Sequence, residues 1–153
     1  IKNCAQLGGS DQWALFEMQS GFARITAATQ ELFIPQSVNL DLIGGVSFSK
    51  GCYPGQEIVA RVRYLGRLKH RMARALLTHG ELPASGHPIF LNANTTQRAG
   101  TVINAVCLPN GTGELLATVP LASSTGAEFP LDQAGRSIRL VELPVESSEG
   151  ESQ

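Results

Sequence analysis

The spacing of apolar residues changes along this chain, from a helical repeat in its first half to short β-type runs in its second. Ser10 or Asp11 is suited to cap a first helix in which Trp13, Phe16 and Ile25 lie toward one side, with Leu15 and Met18 nearby. Gly21 weakens its far end. Thr26 to Ile34 reads as extended, closing on the apolar pair Phe33-Ile34 because Pro35 cannot continue it. Val38 to Ile43 is a short apolar segment whose type periodicity alone does not assign. A second helix is expected from Pro54 to Leu65. Ile58, Val62 and Leu65 recur at helical spacing, Pro54 suits the first helical position, and Glu57 can pair with Arg61 one turn on. Gly66 stands where a C-terminal cap belongs.

From Arg67 onward the pattern is β. Apolar or β-branched runs at Met72 to Thr78, Gly100 to Leu108, Glu114 to Val119 and Ile138 to Leu143 read as strands, and Gly80 to Pro88 reads as loop. Pro109-Asn110-Gly111-Thr112-Gly113 is a hairpin signal between two of them. Short strands with turn signals and no helix between them indicate a small antiparallel barrel or sandwich. The fold class is therefore α+β, with the change of character near Gly66 to Lys69.

Composition narrows the class only slightly. A chain of 153 residues, 42% hydrophobic, has the make-up of an ordinary globular protein. No apolar run approaches the ~20 residues that span a bilayer, so no membrane association is expected. Cys4, Cys52 and Cys107 are far apart and odd in number, which implies neither a disulfide framework nor a zinc site and fits a reducing compartment. The net charge of -1 conceals an asymmetry, because Arg61, Arg63, Arg67, Lys69, Arg71 and Arg74 supply six of the 12 Lys and Arg. The end is acidic and Ser-rich, with Glu146, Glu149 and Glu151, and is expected to be frayed.

The candidate chemistry lies in Lys50-Gly51-Cys52-Tyr53-Pro54-Gly55-Gln56-Glu57. A thiol flanked by glycines has no bulky neighbours to pack with, and Gly51 and Gly55 can take backbone conformations that make a tight surface loop. Gly51 is a candidate for a positive φ. Lys50 and the N-terminus of the following helix would both favour the thiolate, the reactive form of a group that titrates near ~8.5 when free. Glu57 suits the first turn of that helix for structural reasons.

This octapeptide, preceded by Phe33-Ile34-Pro35-Gln36 and Asn39-Leu40 and followed by Val59-Ala60-Arg61, resembles the K-G-C-Y-x-G-Q-E signature of the YgfZ family. These are folate-binding proteins related to the glycine-cleavage T-protein and linked to iron–sulfur cluster maintenance and tRNA modification. The resemblance implies residues 1–66 as the end of a T-protein-like folate-binding domain, residues 67–145 as a β-barrel domain and residues 146–153 as a disordered tail. Family members are about twice this length. The chain then corresponds to their C-terminal half, and its opening, without Met at Ile1, reads as mid-domain sequence.

The resemblance also assigns roles. Cys52 is the reactive residue, with Lys50 favouring its thiolate. Trp13 matches a Trp that lines the folate cavity, where a flat indole can stack on a pterin. Tyr53, Gln56 and Arg61 would shape the site, and the cofactor would be tetrahydrofolate or a related folate. On residue type alone Trp13 is a core aromatic. Lys69, Arg71 and Arg67 share a strand face and form either a solvated surface or an anion patch. With only Tyr64 interleaved and a net charge near zero, direct tRNA binding is not expected. His70, His79 and His87 lack metal-ligand spacing and read as surface histidines, and Cys107 reads as a small buried hydrophobe in a strand.

The implied function is that of a folate-dependent accessory factor supporting iron–sulfur enzymes such as those that modify tRNA. The alternative is an aminomethyltransferase of the T-protein type, against which the Cys motif argues. The expected location is the cytoplasm, or the mitochondrial matrix for a eukaryotic homologue.

Overall fold

A computed structural model describes residues 9–108 and 110–143, so Cys4, Pro109 and the acidic end from Glu146 fall outside it. The apolar runs form strands β1 (His70–Leu77), β3 (Arg98–Cys107), β4 (Gly113–Pro120) and β6 (Ser137–Val141), and each matches an expected strand to within a few residues. Two more, β2 (Pro88–Phe90) and β5 (Glu128–Pro130), are three residues long and escape a reading by periodicity. Each carries a proline, as edge strands often do. All pairings are antiparallel, in the order β2-β3-β4-β1-β6-β5. The two edge strands approach each other and leave a nearly closed barrel. At the β3–β4 turn the Leu108 amide donates to the Thr112 carbonyl at 2.7 Å, as the hairpin signal requires.

The barrel is packed on both faces. Ala75, Ile89, Val102, Leu115, Ala117, Phe129, Ile138 and Leu140 fill the interior. Met72, Ile103 and Leu116 point the other way and pack beneath helix α1 (Ser10–Gln19) and the 3-10 turn Pro35–Val38. Central strand β4 is therefore buried along both faces, and its neighbour β3 serves both cores, with Val102 and Ala105 against the interior and Ile103 and Val106 against the outer one. Gly100 permits the close approach of β3 and β4, because a Cβ there would meet the Thr118 carbonyl oxygen at 1.7 Å.

The face of α1 differs from expectation. Met18 and Leu15 turn inward, while Trp13 and Phe16 are 63% and 64% exposed and Ile25 lies beyond the helix. The cap is Gly9, whose amide donates to Gln12 Oε1 at 3.2 Å, and not Ser10 or Asp11. The segment from Thr26 to Ile34 is a series of turns and not extended chain. The Thr26 amide donates to Thr29 Oγ1 at 2.9 Å, and the Thr29 amide returns to the Thr26 carbonyl at 3.0 Å. Threonine hydroxyls compete with regular structure in this way.

Helix α2 runs Gln56–Tyr64, inside the expected range. Its stripe of Ile58, Val62 and Leu65 is not buried, and Leu65 is 86% exposed. Val59 is the helix residue that packs inward. No ion pair forms between Glu57 and Arg61 among the described residues.

Candidate functional site

Cys52 is exposed on the loop that enters α2, and the geometry of that loop follows from its neighbours. The Gln56 amide donates to the Tyr53 carbonyl at 3.2 Å, closing a four-residue turn with Pro54 and Gly55 at its centre. Gly55 has φ 84 and ψ -3, the conformation of the third residue of a type II turn, which favours Pro before it and Gly within it. The Gln56 side chain then folds back, its Oε1 accepting from the Tyr53 amide at 3.4 Å. Tyr-Pro-Gly-Gln is thus a self-bracing turn that starts α2 and sets Cys52 just ahead of it. Pro54 sits within the turn and not at the first helical position expected from the sequence, because the helix begins at Gln56. Gly51 is not among the positive-φ glycines, so the special conformation belongs to Gly55.

The loop and helix are anchored by buried amides. Gln36 Nε2 donates to the Val59 carbonyl at 2.7 Å, and Asn39 Nδ2 donates to the Met72 carbonyl at 3.0 Å. Arg71 joins these groups. It donates to the Gln36 carbonyl, to Asn39 Oδ1 and, through both terminal nitrogens, to the Asp41 carboxylate at 3.0 and 2.9 Å. The Phe-Ile-Pro-Gln and Asn-Leu segments are therefore the frame that holds α2 against β1. Arg71 belongs to this frame and not to an anion patch. Arg63, missed by periodicity, lies 4.2 Å over the ring of Phe48 and holds the loop before Lys50 to α2. Gln36 Oε1 is buried without a partner among the described residues, and Gln36 borders a cavity of ≈230 Å³ with Asp41, Phe48, Arg63 and Arg71. An N–H donor entering there would complete its hydrogen bonding.

Lys50, Cys52, Tyr53 and Gln56 come together on this one loop, and Arg61 lies exposed farther along α2. The Lys50 amide donates to Ser47 Oγ at 3.3 Å, and among the described residues the Cys52 thiol makes no hydrogen bond. Trp13 stands apart on α1, which packs on β3 and β4. Its indole N–H donates to Glu17 Oε1 at 2.9 Å, and Glu17 in turn pairs with Arg24. Trp13 is therefore not a core aromatic. Trp13 lies on α1 and Arg61 on α2, while the side chain of Gln56 is engaged by the turn that carries Tyr53. Trp13 and Tyr53 each keep an exposed aromatic surface.

Cys107 is exposed at the end of β3, its thiol donating to the Leu108 carbonyl at 3.5 Å. The expectation of a buried cysteine fails because the strand ends at this residue, where it has left the core that covers Val106. Among the described residues no three His, Cys, Asp or Glu side chains gather as metal ligands, and no helix is long and apolar enough to cross a membrane.

No protein-family model matches the chain. Curated relatives do. The tRNA-modifying protein YgfZ of Escherichia coli O139:H28 and that of Shigella boydii serotype 18 are each 41% identical over 112 residues, which is 72% of this chain and 34% of the relative. The protein of the same name from Escherichia coli strain SMS-3-5 is 39% identical over the same share. The chain spans about a third of the length of the relatives it matches (34%). A match covering 72% of 153 residues cannot avoid the middle of the chain, so Lys50 to Glu57 lies within it. At that identity, with an intact Lys-Gly-Cys-Tyr-Pro-Gly-Gln-Glu loop, the chain belongs to the YgfZ family.

Proposed function

We propose that this chain contributes to tRNA modification as the cysteine-bearing part of a folate-dependent accessory protein, one that supports iron–sulfur enzymes through Cys52. The observation that carries this reading is the presentation of Cys52. It is an exposed thiol on a loop whose next residues, Tyr53, Pro54, Gly55 and Gln56, close a hydrogen-bonded turn. So ordered a turn around an unbonded thiol suits transient contact with a partner's cofactor or substrate, since a thiolate is both a nucleophile and a soft metal ligand. One cysteine cannot hold a stable cluster, which usually takes four protein ligands, so the role is transfer or protection and not storage. The names of the relatives support the tRNA-modification part.

Folate enters as the cofactor of the whole protein. Trp13 and Tyr53 can each supply one stacking face, and the enclosure of the ring requires protein surface beyond these residues. Lys50 and Arg61 add positive charge near the loop for an anionic partner or folate tail.

The test is a chimera in which the matched segment of a YgfZ relative is exchanged for this chain's residues, expressed in a strain lacking that relative. The chimera should restore the activity of an iron–sulfur tRNA-modifying enzyme. The same chimera with Cys52→Ser should accumulate normally and bind folate as before yet restore little of that activity. Full restoration by Cys52→Ser at equal abundance overturns the reading.

A further inference from the structure

The arginines of this protein divide by partner. Arg24, Arg71, Arg74, Arg136 and Arg139 each face a carboxylate, namely Glu17, Asp41, Glu114, Asp132 and Glu128. Arg67, Lys69 and Arg98 make no ion pair among the described residues, and all three line one cleft of ≈480 Å³ together with His70. No Asp or Glu lines it. The sheet assembles this group from distant sequence. His70 pairs with Pro120 and Thr101 with Thr118, so the start of β1, the end of β4 and the start of β3 share one rim of the barrel. Like charges gathered in a concave site repel one another, and an anion relieves that repulsion while the walls concentrate the field.

The cleft is not only basic. Phe33, Val62 and Leu68 form an apolar wall beside the cations, which suits a ligand with a flat ring on one side and an anion on the other. Its size falls in the ~300–1,000 Å³ range of small-molecule sites. A nucleic-acid strand would instead need cations tracking along a groove. Here the neighbouring Arg71 and Arg74 are neutralised by Asp41 and Glu114.

We propose that this cleft binds a nucleoside phosphate, with the ring against Phe33, Val62 and Leu68 and the phosphate held by Arg67, Lys69 and Arg98. Guanidinium and ammonium groups are the usual phosphate donors, and a phosphate can accept from several at once. The weak negative end of α2 borders the site, and Arg61 and Arg63 in its last turn offset it. Cys52 lies ahead of the N-terminus of α2, a helix about 13 Å long at 1.5 Å per residue, and does not line the cleft at the other end, so the proposal stands independently of the role given to that thiol.

The experiment is calorimetric titration of the 153-residue chain with adenosine 5′-monophosphate at low and moderate salt. Saturable binding that weakens as salt rises is expected, with Arg98→Gln and Lys69→Gln each lowering affinity ~10-fold, the loss for one hydrogen bond to a charged group. Arg139→Gln, on β6 and paired with Glu128, should leave it unchanged. Circular dichroism checks that each variant is folded, which the exposure of Lys69 and Arg98 favours. Adenosine and inorganic phosphate should each bind more weakly than the nucleotide. No saturable binding overturns the proposal, as does binding undiminished in both cleft variants or inorganic phosphate binding as tightly as the nucleotide. Far tighter binding of a ten-nucleotide single-stranded RNA overturns it in favour of a nucleic-acid surface.

Discussion

Cys52 and Cys107 are both exposed, yet their settings differ in one atom's worth of bonding. Cys107 donates to a neighbouring carbonyl, and Cys52 donates to nothing among the described residues. A small alkylating reagent applied to native protein should modify both thiols, with mass spectrometry of peptides reporting each site. Protection of Cys107 until denaturant is added would contradict its position at the strand end. Gly55 and Gly51 make a second contrast at this scale. Gly55→Ala places a side chain at φ 84 and should cost about 1–3 kcal/mol. Gly51→Ala meets nothing within 4 Å and should change stability by less than about 0.5 kcal/mol. Denaturant titration of the two variants separates them, and equal costs would remove the special role of Gly55. Of the motif, the turn residues were legible because Pro-Gly chemistry is local. Which of two glycines carries the positive φ was not, because flanking chain decides it.

At the scale of elements, α1 is tied to the barrel by a polar contact that no periodicity signals. Glu114 on β4 is 1% exposed, accepts from Arg74 Nε on β1 at 2.6 Å and from Gln19 Nε2 on α1 at 3.3 Å. A buried carboxylate left without its cation is costly, so Arg74→Ala should destabilise by about 3 kcal/mol. Arg74→Ala combined with Glu114→Ala should lose less than the sum of the single variants, since each single leaves one charge unpaired. Chemical denaturation of the three variants measures the coupling, and additivity would show that the pair is energetically unimportant. Position 114 reads from sequence as the polar start of a strand. Its burial follows from Gln19 and α1 closing over the outer face of the sheet, a contact ninety-five residues apart in sequence.

Across the whole molecule, acid should weaken the fold at a loop far from the cysteine. Hydrogen bonds from the Arg136 side chain hold the carboxyl of Asp132 below its ordinary value of 3.8, with the Arg136 amide adding to the effect. A carboxyl whose pKa is lower in the folded than in the unfolded chain stabilises the fold above its unfolded pKa. That contribution disappears as pH falls through the folded value. The gap in thermal midpoint between the native chain and Asp132→Asn should therefore be full at pH 6 and shrink as pH drops below about 4. A constant gap would mean that the ion pair contributes nothing through charge. The same Arg136 reaches the Glu81 carbonyl at 3.1 Å, so this pair joins the loops after β1 and β5.

The strands β1, β3, β4 and β6, helix α2 and the β3–β4 turn were determined by the sequence itself, because runs of apolar or β-branched residues, helical spacing and Asn-Gly turns act through neighbours along the chain. The resemblance of the cysteine loop to its family was equally a property of contiguous residues. Tertiary structure alone decided which side of α1 faces inward, since Trp13 and Phe16 are as apolar as Leu15 and Met18 and only the shape of the sheet beneath selects between them. It made strands of two Pro-bearing three-residue segments by giving them partners at the barrel edges. It also withdrew Arg71 from the basic run by bringing Asp41 to it, and added Arg98 from a strand start far along the chain. Charges are paired or left free by distance in space, and a linear sequence does not contain that distance.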